Sequence, residues 1–203
     1  MNLQQKSQEV RRVFEELDAE IRLFMDSSQI GCISGCGFCC SNPKVSASIL
    51  EFLPLAFDLY QKGKAEKALD ILETKTEEDF CIIYKATTTD ASMGFCSDYQ
   101  NRGMICRLFG SSARKNRTGQ KEIITCKKIK EAKKEQYQAA SISINEGMPV
   151  PLSSDAYSQL YNIDFQLTSE QMPINVAIQK ALEAVLRFKY YEGSETSESA
   201  ESF

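Results

Sequence analysis

Apolar residues recur at helical spacing along the first segment of the chain. They fall three or four positions apart and so line one face of a helix, while charged residues fill most of the positions between them. The apolar face comprises Val10, Val13, Phe14, Leu17, Ile21, Phe24 and Met25. The pattern predicts an amphipathic helix from about residue 5 to about residue 26, ending before Gly31.

A second apolar face follows further along. Ser46 is a suitable N-cap for a helix that begins near Ala47, and Gly63 is a suitable stop. Pro54 lies inside this segment and should kink the helix or delay its start, because proline lacks the N–H that a helix interior needs. A third helix is expected from about residue 64 to about residue 75. The face of the second helix would consist of Leu50, Leu53, Phe57 and Tyr60.

The middle of the chain shows little periodicity. We expect residues 80–110 to be loop with short extended pieces, because apolar residues there show neither regular helical spacing nor regular strand alternation. Residues 121–125 (KEIIT) are typical of a short strand. A polar helix is predicted at about residues 127–139.

Two more helices are expected after this section. Ser153 or Ser154 can cap a helix that continues through Leu160. The last helix covers about residues 173–191, and Pro173 fits its first turn because the fixed φ of proline suits that position.

Together these elements predict a mainly α fold in one domain, residues 1–191. In this fold, helices enclose an irregular, cysteine-rich middle section at about residues 31–126, with few or no short strands. The remaining residues, 192–203, are small, polar and acidic, and we expect them to form a disordered tail.

Charge and hydropathy exclude two classes of partner. The 203 residues carry 24 basic and 28 acidic side chains, which give a formal net charge of −4. A nucleic-acid-binding surface normally shows as a basic excess, so no nucleic-acid partner is predicted. No apolar run approaches the roughly 20 residues of a membrane span, and the charged N-terminus lacks the apolar centre of a secretion signal. We therefore expect a cytoplasmic protein without a membrane segment; no protein partner is indicated.

Cysteine content changes this picture, because the chain has eight cysteines and no histidine. Reduced thiols are the rule in the cytosol, so a disulfide framework is not expected. Without histidine, catalysis by Ser-His-Asp or Cys-His and every imidazole metal site are excluded, and a metal would have to be held by sulfur. Four of the eight lie within nine positions of GCISGCGFCC. The eight are Cys32, Cys36, Cys39, Cys40, Cys81, Cys96, Cys106 and Cys126.

The first cluster has the spacing of a metal site. In the step Cys36-Gly-Phe-Cys39, two intervening residues let both thiolates reach one ion. Gly35 and Gly37 flank Cys36 and allow backbone N–H groups to turn toward sulfur. Cys40 follows Cys39 directly, and neighbouring side chains tend to point in different directions. Either the two serve different ions, or one of them only supports the ligands.

The second cluster combines thiols with positive charge. A divalent ion held by four thiolates carries a net charge of about −2. Arg102 lies four residues before Cys106 and Arg107 directly after it, so their guanidinium groups are placed to neutralise such a centre and to donate hydrogen bonds to sulfur. The alternative is that both arginines are ordinary surface residues.

These two clusters resemble those of the YkgJ-type cysteine-cluster family, whose members are described as zinc- or iron-chelating domains. The first family motif, C-x-x-x-C-x-x-C-C, is matched by Cys32, Cys36, Cys39 and Cys40. The second, similar to C-x-I-Y-x-x-R-P-x-x-C-R, is matched by Cys96, Tyr99, Arg102, Cys106 and Arg107. Single cysteines of the family, one in the middle and one later, are matched by Cys81 and Cys126.

The resemblance covers about residues 31–126 and departs from the family at two positions. Asp98 stands where the family has an apolar residue, and Gly103 replaces the usual proline. Neither is a candidate ligand. The resemblance implies metal binding, with all eight cysteines as ligands and with Tyr99, Arg102 and Arg107 around them; it implies no particular reaction.

Zinc and iron both remain open as the metal. All-sulfur tetrahedral sites are the usual structural zinc arrangement, and zinc would fasten the first cysteine cluster to the later cysteines. An iron–sulfur cluster also takes four thiolates, and the absence of histidine excludes only the Rieske type.

Two function classes follow. One is a non-catalytic metal-binding protein whose role is structural, sequestering or partner-binding. The other is an iron–sulfur enzyme or electron carrier; relatives fused to methyl-transferring proteins suggest methyl-transfer-linked chemistry by analogy only.

Overall fold

Helices dominate the part of the chain that the computed structural model describes, which is residues 1–76 and 78–198, with side chains up to residue 192. The predicted mainly α fold is therefore confirmed. Two 3-10 helices, Leu50–Phe52 and Tyr99–Asn101, precede α2 and α4 respectively. The α-helices are α1 Leu3–Ser28, α2 Leu53–Gln61, α3 Ala65–Glu73, α4 Met104–Leu108, α5 Lys127–Ala132, α6 Lys134–Ser143, α7 Ser153–Ile163, α8 Phe165–Ser169 and α9 Ile174–Glu198.

Helix α1 matches its prediction and is slightly longer at both ends. Its start is fixed by a capping box: the Asn2 side chain accepts a hydrogen bond from the Gln5 N–H, and the Gln5 side chain accepts one from the Asn2 N–H. At its end Gln29 takes the left-handed conformation, with φ of 56°, and its N–H closes the last turn onto Met25.

The second helix starts later than Ala47, which the sequence suggested. Ser46 and Ala47 lie in a short strand, and α2 begins only at Leu53, with Pro54 in its first turn. Of the two effects expected of Pro54, the delayed start is the one observed, because the missing N–H costs nothing in the first turn of a helix.

Three two-stranded antiparallel pairs accompany the helices in the described residues. The pairs are β1 Ser46–Ala47 with β6 Met172–Pro173, β2 Tyr84–Ala86 with β3 Gly94–Cys96, and β4 Ser112–Lys115 with β5 Lys121–Ile124. The predicted strand at residues 121–125 is confirmed as β5, and β2 and β3 are short extended pieces of the kind expected within residues 80–110. The pairing of the strands, and strands β1, β4 and β6, were not predicted.

Two of the predicted helices differ in extent. The polar helix of about residues 127–139 is divided into α5 and α6 at Lys133, whose φ of −127° and ψ of 44° interrupt the helical backbone. Helix α9 continues to Glu198, beyond the expected end near residue 191, while the rest of the expected tail, 199–203, lies outside the described residues. No helix within the described ranges is both long and apolar enough to cross a membrane.

Two apolar clusters hold these elements together. The larger is built mainly by α1, α2, α3, α7 and α9, with Val10, Phe52, Leu53, Ile178 and Leu182 among its fully buried members. The smaller lies where the end of α1 meets the β4–β5 hairpin, α5 and α6, and it contains Phe24, Ile30, Ala113, Ile123, Ile129, Ala140 and Ile144. The middle section contributes residues to both clusters: Cys81 and Cys106 pack against the larger and Cys126 against the smaller.

Candidate metal centre

The cysteine loop, residues 31–40, is attached by its backbone to the β2–β3 hairpin. The Gly94 N–H donates to the Gly35 carbonyl over 3.0 Å, and the Gly37 N–H donates to the Ser92 carbonyl over 3.2 Å. Gly35 has a φ of 72°, which glycine adopts without strain. Gly37 is needed for space, because a Cβ there would collide with the Tyr84 hydroxyl group.

The hairpin itself carries Cys96 at the end of β3. Tyr84 pairs with Cys96 across the two strands. The Tyr84 hydroxyl donates to the Ala91 carbonyl over 2.7 Å and so closes the loop that connects them. Cys81 lies just before β2, where the Asn175 side chain holds the backbone: it accepts from the Ile82 N–H over 2.9 Å.

Helix α4 carries Cys106, and a buried carboxylate fixes its start. One oxygen of Glu51 accepts from the Met104 N–H over 2.8 Å, and the other accepts from the N–H and hydroxyl of Ser48 over 2.9 and 3.0 Å. Glu51 is fully buried, and this burial raises the pKa of its carboxyl group although the hydrogen bonds act in the opposite direction. The carboxylate thus connects α4 to the segment before α2.

All eight cysteines are free thiols, and they line two adjoining cavities. A cavity of about 500 Å³ has in its wall the four thiols that we name the inner cysteines, Cys40, Cys81, Cys96 and Cys106. A space of about 10 Å³ is lined by the outer cysteines, Cys32, Cys36, Cys39 and Cys126. Cys39 also reaches the large cavity, so the two groups meet at the Cys39–Cys40 step.

Burial and the charges of neighbouring cysteines shift the pKa values of several of the thiols. Burial raises the pKa of Cys81 to about 11 and that of Cys106 to about 12, and neighbouring thiolates add to both effects. A hydrogen bond from the Cys40 thiol lowers the pKa of Cys39 to about 6, and the same bond raises the pKa of Cys40. Burial also raises the pKa of Cys32, with the charges of other outer cysteines contributing. The raised pKa values favour neutral thiols, so a bound metal ion would have to displace their protons to be held as a thiolate complex.

The thiols do not form a ready-made ligand set. Within residues 1–76 and 78–198, no group of three or more cysteine, aspartate or glutamate side chains is arranged so that it could hold a metal ion. The structure therefore brings the predicted ligands to common cavities without converging them on one point, and their assignment as ligands stays a prediction.

The two arginines of the second cluster occupy unequal positions. Arg107 is only 2% exposed and stacks over the Phe14 ring; its guanidinium donates to Asp18 and to the carbonyls of Gln100 and Arg102. These acceptors are oxygen atoms rather than the expected sulfur.

The observed position of Arg102 is closer to the predicted one. It lines the large cavity, lies 3.8 Å over the Tyr99 ring and contacts Asp18 at 3.6 Å. Its Nε is buried and has no hydrogen-bond partner among the described residues. The charges of Arg102 and Arg107 both act to lower the pKa of Cys96, against the larger effect of burial.

Three residues that support this region were not singled out from the sequence. Asp18 joins α1 to both arginines, and Asn175 holds the backbone beside Cys81 from the first turn of α9. Neither has a local signature, because its partners lie about 90 residues away. Glu51 did have one: the spacing Ser48-x-x-Glu51 is that of a capping box.

Comparison with known proteins gives one family. The family model CxxCxxCC, described as “Putative zinc- or iron-chelating domain”, matches residues 31–141, more than half of the chain. No curated protein and no solved structure matches the chain. The matched residues include every cysteine and both arginines of the second cluster, in agreement with the resemblance. The chain thus belongs to the CxxCxxCC family and is a cysteine-rich, metal-binding protein.

Proposed function

We propose that the outer and the inner cysteines form two metal centres that hold the middle section of the protein together. The supporting observation is that the eight free thiols line two adjoining cavities: Cys32, Cys36 and Cys126 line the small one, Cys40, Cys81, Cys96 and Cys106 line the large one, and Cys39 lines both. Four thiolates are the usual ligand set for structural zinc and for iron–sulfur centres alike. Cys39 and Cys40 are consecutive and cannot easily bind one ion, and this difficulty disappears if they serve different centres.

A structural role follows from the weakness of the surrounding elements. Strands β2 and β3 have three residues each and α4 has five, which is too short for independent stability. Metal bound to cysteines contributes folding free energy directly, on the order of 10 kcal/mol in small zinc modules. Binding at the two groups would join the cysteine loop to the hairpin, to α4 and to the start of α5. We further propose a cytoplasmic location, where the thiols stay reduced.

Metal analysis of cysteine variants tests this function. The protein is purified without oxygen and its metal content per chain is compared for wild type, Cys36→Ser and Cys106→Ser. Each variant should lose the metal of its own group and keep that of the other. Met93→Leu is the matched control, since it removes a sulfur beside the cysteine loop but no thiol. Full metal content in both cysteine variants would contradict the proposal.

The alternative, an iron–sulfur enzyme or electron carrier, is favoured by the size of the large cavity. About 500 Å³ lies within the range of small-molecule pockets, and the cavity touches thiols, Tyr157 and Arg102 together. A brown protein whose visible absorbance bleaches on reduction would support this class. A colourless protein with zinc alone would exclude it.

A further inference from the structure

Most of the wall of the large cavity is not made of thiols. Five of its twenty lining residues are cysteines, and the others are chiefly apolar or aromatic. Its volume of about 500 Å³ is that of a pocket for a small organic molecule. Several of the lining side chains, Ile83, Ile105, Phe109 and Tyr157, are only partly buried. A ligand with an apolar body would cover this surface and would be stabilised by the hydrophobic effect.

The charged side chains in the cavity wall are basic. Arg102 and Lys44 line the cavity, and no aspartate or glutamate of the described residues does, although acidic side chains outnumber basic ones in the chain. The Arg102 side chain makes no hydrogen bond with the described residues: its Nε has no partner, and its contact with Asp18, at 3.6 Å, is longer than a hydrogen bond. A wall of this charge favours an anionic ligand.

Tyr157 adds a neutral hydrogen-bond donor from helix α7. Its hydroxyl group has no hydrogen-bond partner among the described residues. Burial raises the pKa of Tyr157, so the hydroxyl stays protonated at neutral pH. A protonated hydroxyl and a guanidinium can both donate to a carboxylate, which accepts several hydrogen bonds at once.

We propose that the large cavity binds a small aromatic carboxylate, whose ring lies against the apolar wall and whose carboxylate accepts hydrogen bonds from Arg102 and Tyr157 beside the charge of Lys44. An aromatic body is favoured because five of the twenty lining residues are phenylalanine or tyrosine. The planar guanidinium of Arg102 matches the planar carboxylate, and Asp18 already balances part of its charge, so a singly charged ligand fits. This inference goes beyond the proposed function and does not depend on bound metal.

Calorimetric titration of the wild type tests the ligand class without any substitution. Cinnamate has an aromatic ring and one carboxylate, while cinnamyl alcohol and cinnamylamine keep the ring and replace the carboxylate by a neutral and a cationic group. We expect one cinnamate site per chain with a dissociation constant on the order of 1 mM or lower, as for other ligands of about ten heavy atoms. The alcohol should bind roughly 10-fold more weakly, because it forms no charge-assisted hydrogen bond, and the amine more weakly still.

Two variants and their matched controls locate the binding. Arg102→Gln should weaken cinnamate binding about 10-fold and change the affinity for cinnamyl alcohol less than about 2-fold, because only the carboxylate uses the guanidinium charge. Tyr157→Phe keeps the ring and should weaken cinnamate binding roughly 3- to 10-fold. Arg114→Gln and Tyr161→Phe are the controls, since both residues are exposed and neither lines the cavity. Both controls should bind cinnamate as the wild type does.

The results that would overturn the inference differ from those that bear on the proposed function. Equal affinity for the three molecules, no detectable binding of cinnamate, or unchanged cinnamate binding in both Arg102→Gln and Tyr157→Phe would overturn the inference. Metal content per chain is measured on the same samples. Metal-free wild type that binds cinnamate as expected would support the inference and overturn the proposed function, and metal-loaded protein that does not bind cinnamate would do the reverse.

Discussion

At the level of single residues, the least expected group is the fully buried carboxylate of Glu51. A buried charge is tolerated only when its hydrogen-bonding capacity is filled, and both oxygens of Glu51 face donors from Ser48 and Met104. The same contacts place the first turn of α4 and hence Cys106. Glu51 is therefore a positioning residue for the inner cysteines rather than a ligand.

Replacing Glu51 by glutamine tests this role. The new amide NH₂ would face an N–H donor on one side, and a buried unsatisfied donor costs about 1–3 kcal/mol. We expect the free energy of unfolding, measured in urea, to fall by that amount. Glu16→Gln is the matched control: its carboxylate is exposed and pairs with Arg12, so the change should stay below about 1 kcal/mol. Equal stability of Glu51→Gln and wild type would contradict the assignment.

The second residue-level prediction concerns Arg107. Arg107 uses its Nε, Nη1 and Nη2 atoms for three separate acceptors, and the single nitrogen of a lysine cannot occupy all three places. Arg107→Lys keeps the charge but should lose about 2 kcal/mol of unfolding free energy. Arg12→Lys, at an exposed position, should leave the free energy of unfolding nearly unchanged.

Metal content distinguishes the two roles that Arg107 was given. If it is a structural residue, Arg107→Lys retains the wild-type metal content per folded chain while stability falls. Loss of metal at unchanged stability would instead show that the guanidinium acts on the thiolates, as the sequence suggested.

The residues that sequence reasoning found and those that it missed differ in the range of their contacts. The cysteines and Gly35 can be recognised from the sequence, because their spacing or the turn that they require involves only residues a few positions away. Asp18 and Asn175 work through partners about 90 residues away, which no local pattern encodes. The sequence did not predict that the Arg107 guanidinium would donate to oxygen atoms instead of sulfur. The reason is the same, since its carboxylate partner belongs to α1.

At the level of elements, the β2–β3 hairpin is the most constrained by space. Gly94 lies where a Cβ would collide with the Lys85 carbonyl and with the Tyr84 hydroxyl. The hairpin has only three paired positions, and its last one carries Cys96. A small displacement there moves a thiol as well as a strand.

Gly94→Ala should therefore weaken the protein and its inner group together. Overpacking of this kind costs roughly 1–3 kcal/mol, and metal content per chain should fall because Cys96 is displaced. The control is Gly63→Asn, where the glycine has a φ of 64° and open space around it, and where asparagine tolerates the left-handed conformation. The two are compared by urea unfolding and by metal analysis. Wild-type metal content in Gly94→Ala would show that the hairpin does not position the site.

Prediction of the elements succeeded where the periodic signal was long. Helix α1 was placed within about two residues at each end, and six of the seven apolar positions predicted for its face are buried, while Met25 is exposed. The five-residue helices α4 and α8 were not predicted, because such short helices form through tertiary contacts rather than through their own pattern. Likewise β1 exists only through its pairing with β6, more than 100 residues later.

At the level of the whole molecule, the cysteine groups lie at the edges of the two apolar cores. Cys81 and Cys106 pack against the larger core, and Cys126 packs against the smaller one. Most of the larger core is contributed by α1, α2, α3, α7 and α9, and Cys81 and Cys106 are only partly buried residues at its edge. Metal binding should therefore act on the middle section without being required for the core.

Metal removal provides the test at this scale. The purified protein is treated with a strong chelator under reducing conditions, and amide hydrogen exchange is compared before and after. Residues 31–44 and 80–126 should lose protection, because their short elements then lack the metal contribution to folding. Helices α1, α2 and α9 should keep theirs, because they bury apolar surface against one another. Added metal should restore the lost protection, which controls for irreversible damage by the chelator.

Two outcomes would count against a structural role confined to the middle section. Unchanged exchange in residues 31–44 and 80–126 would mean that the thiols bind metal without holding these segments, as in sequestration or electron transfer. Loss of protection across α1, α2 and α9 would mean that the larger core depends on the metal, although it is made of apolar contacts between long helices. The expected pattern separates these cases, since only a metal that fastens the middle section lowers protection there and leaves the helices intact.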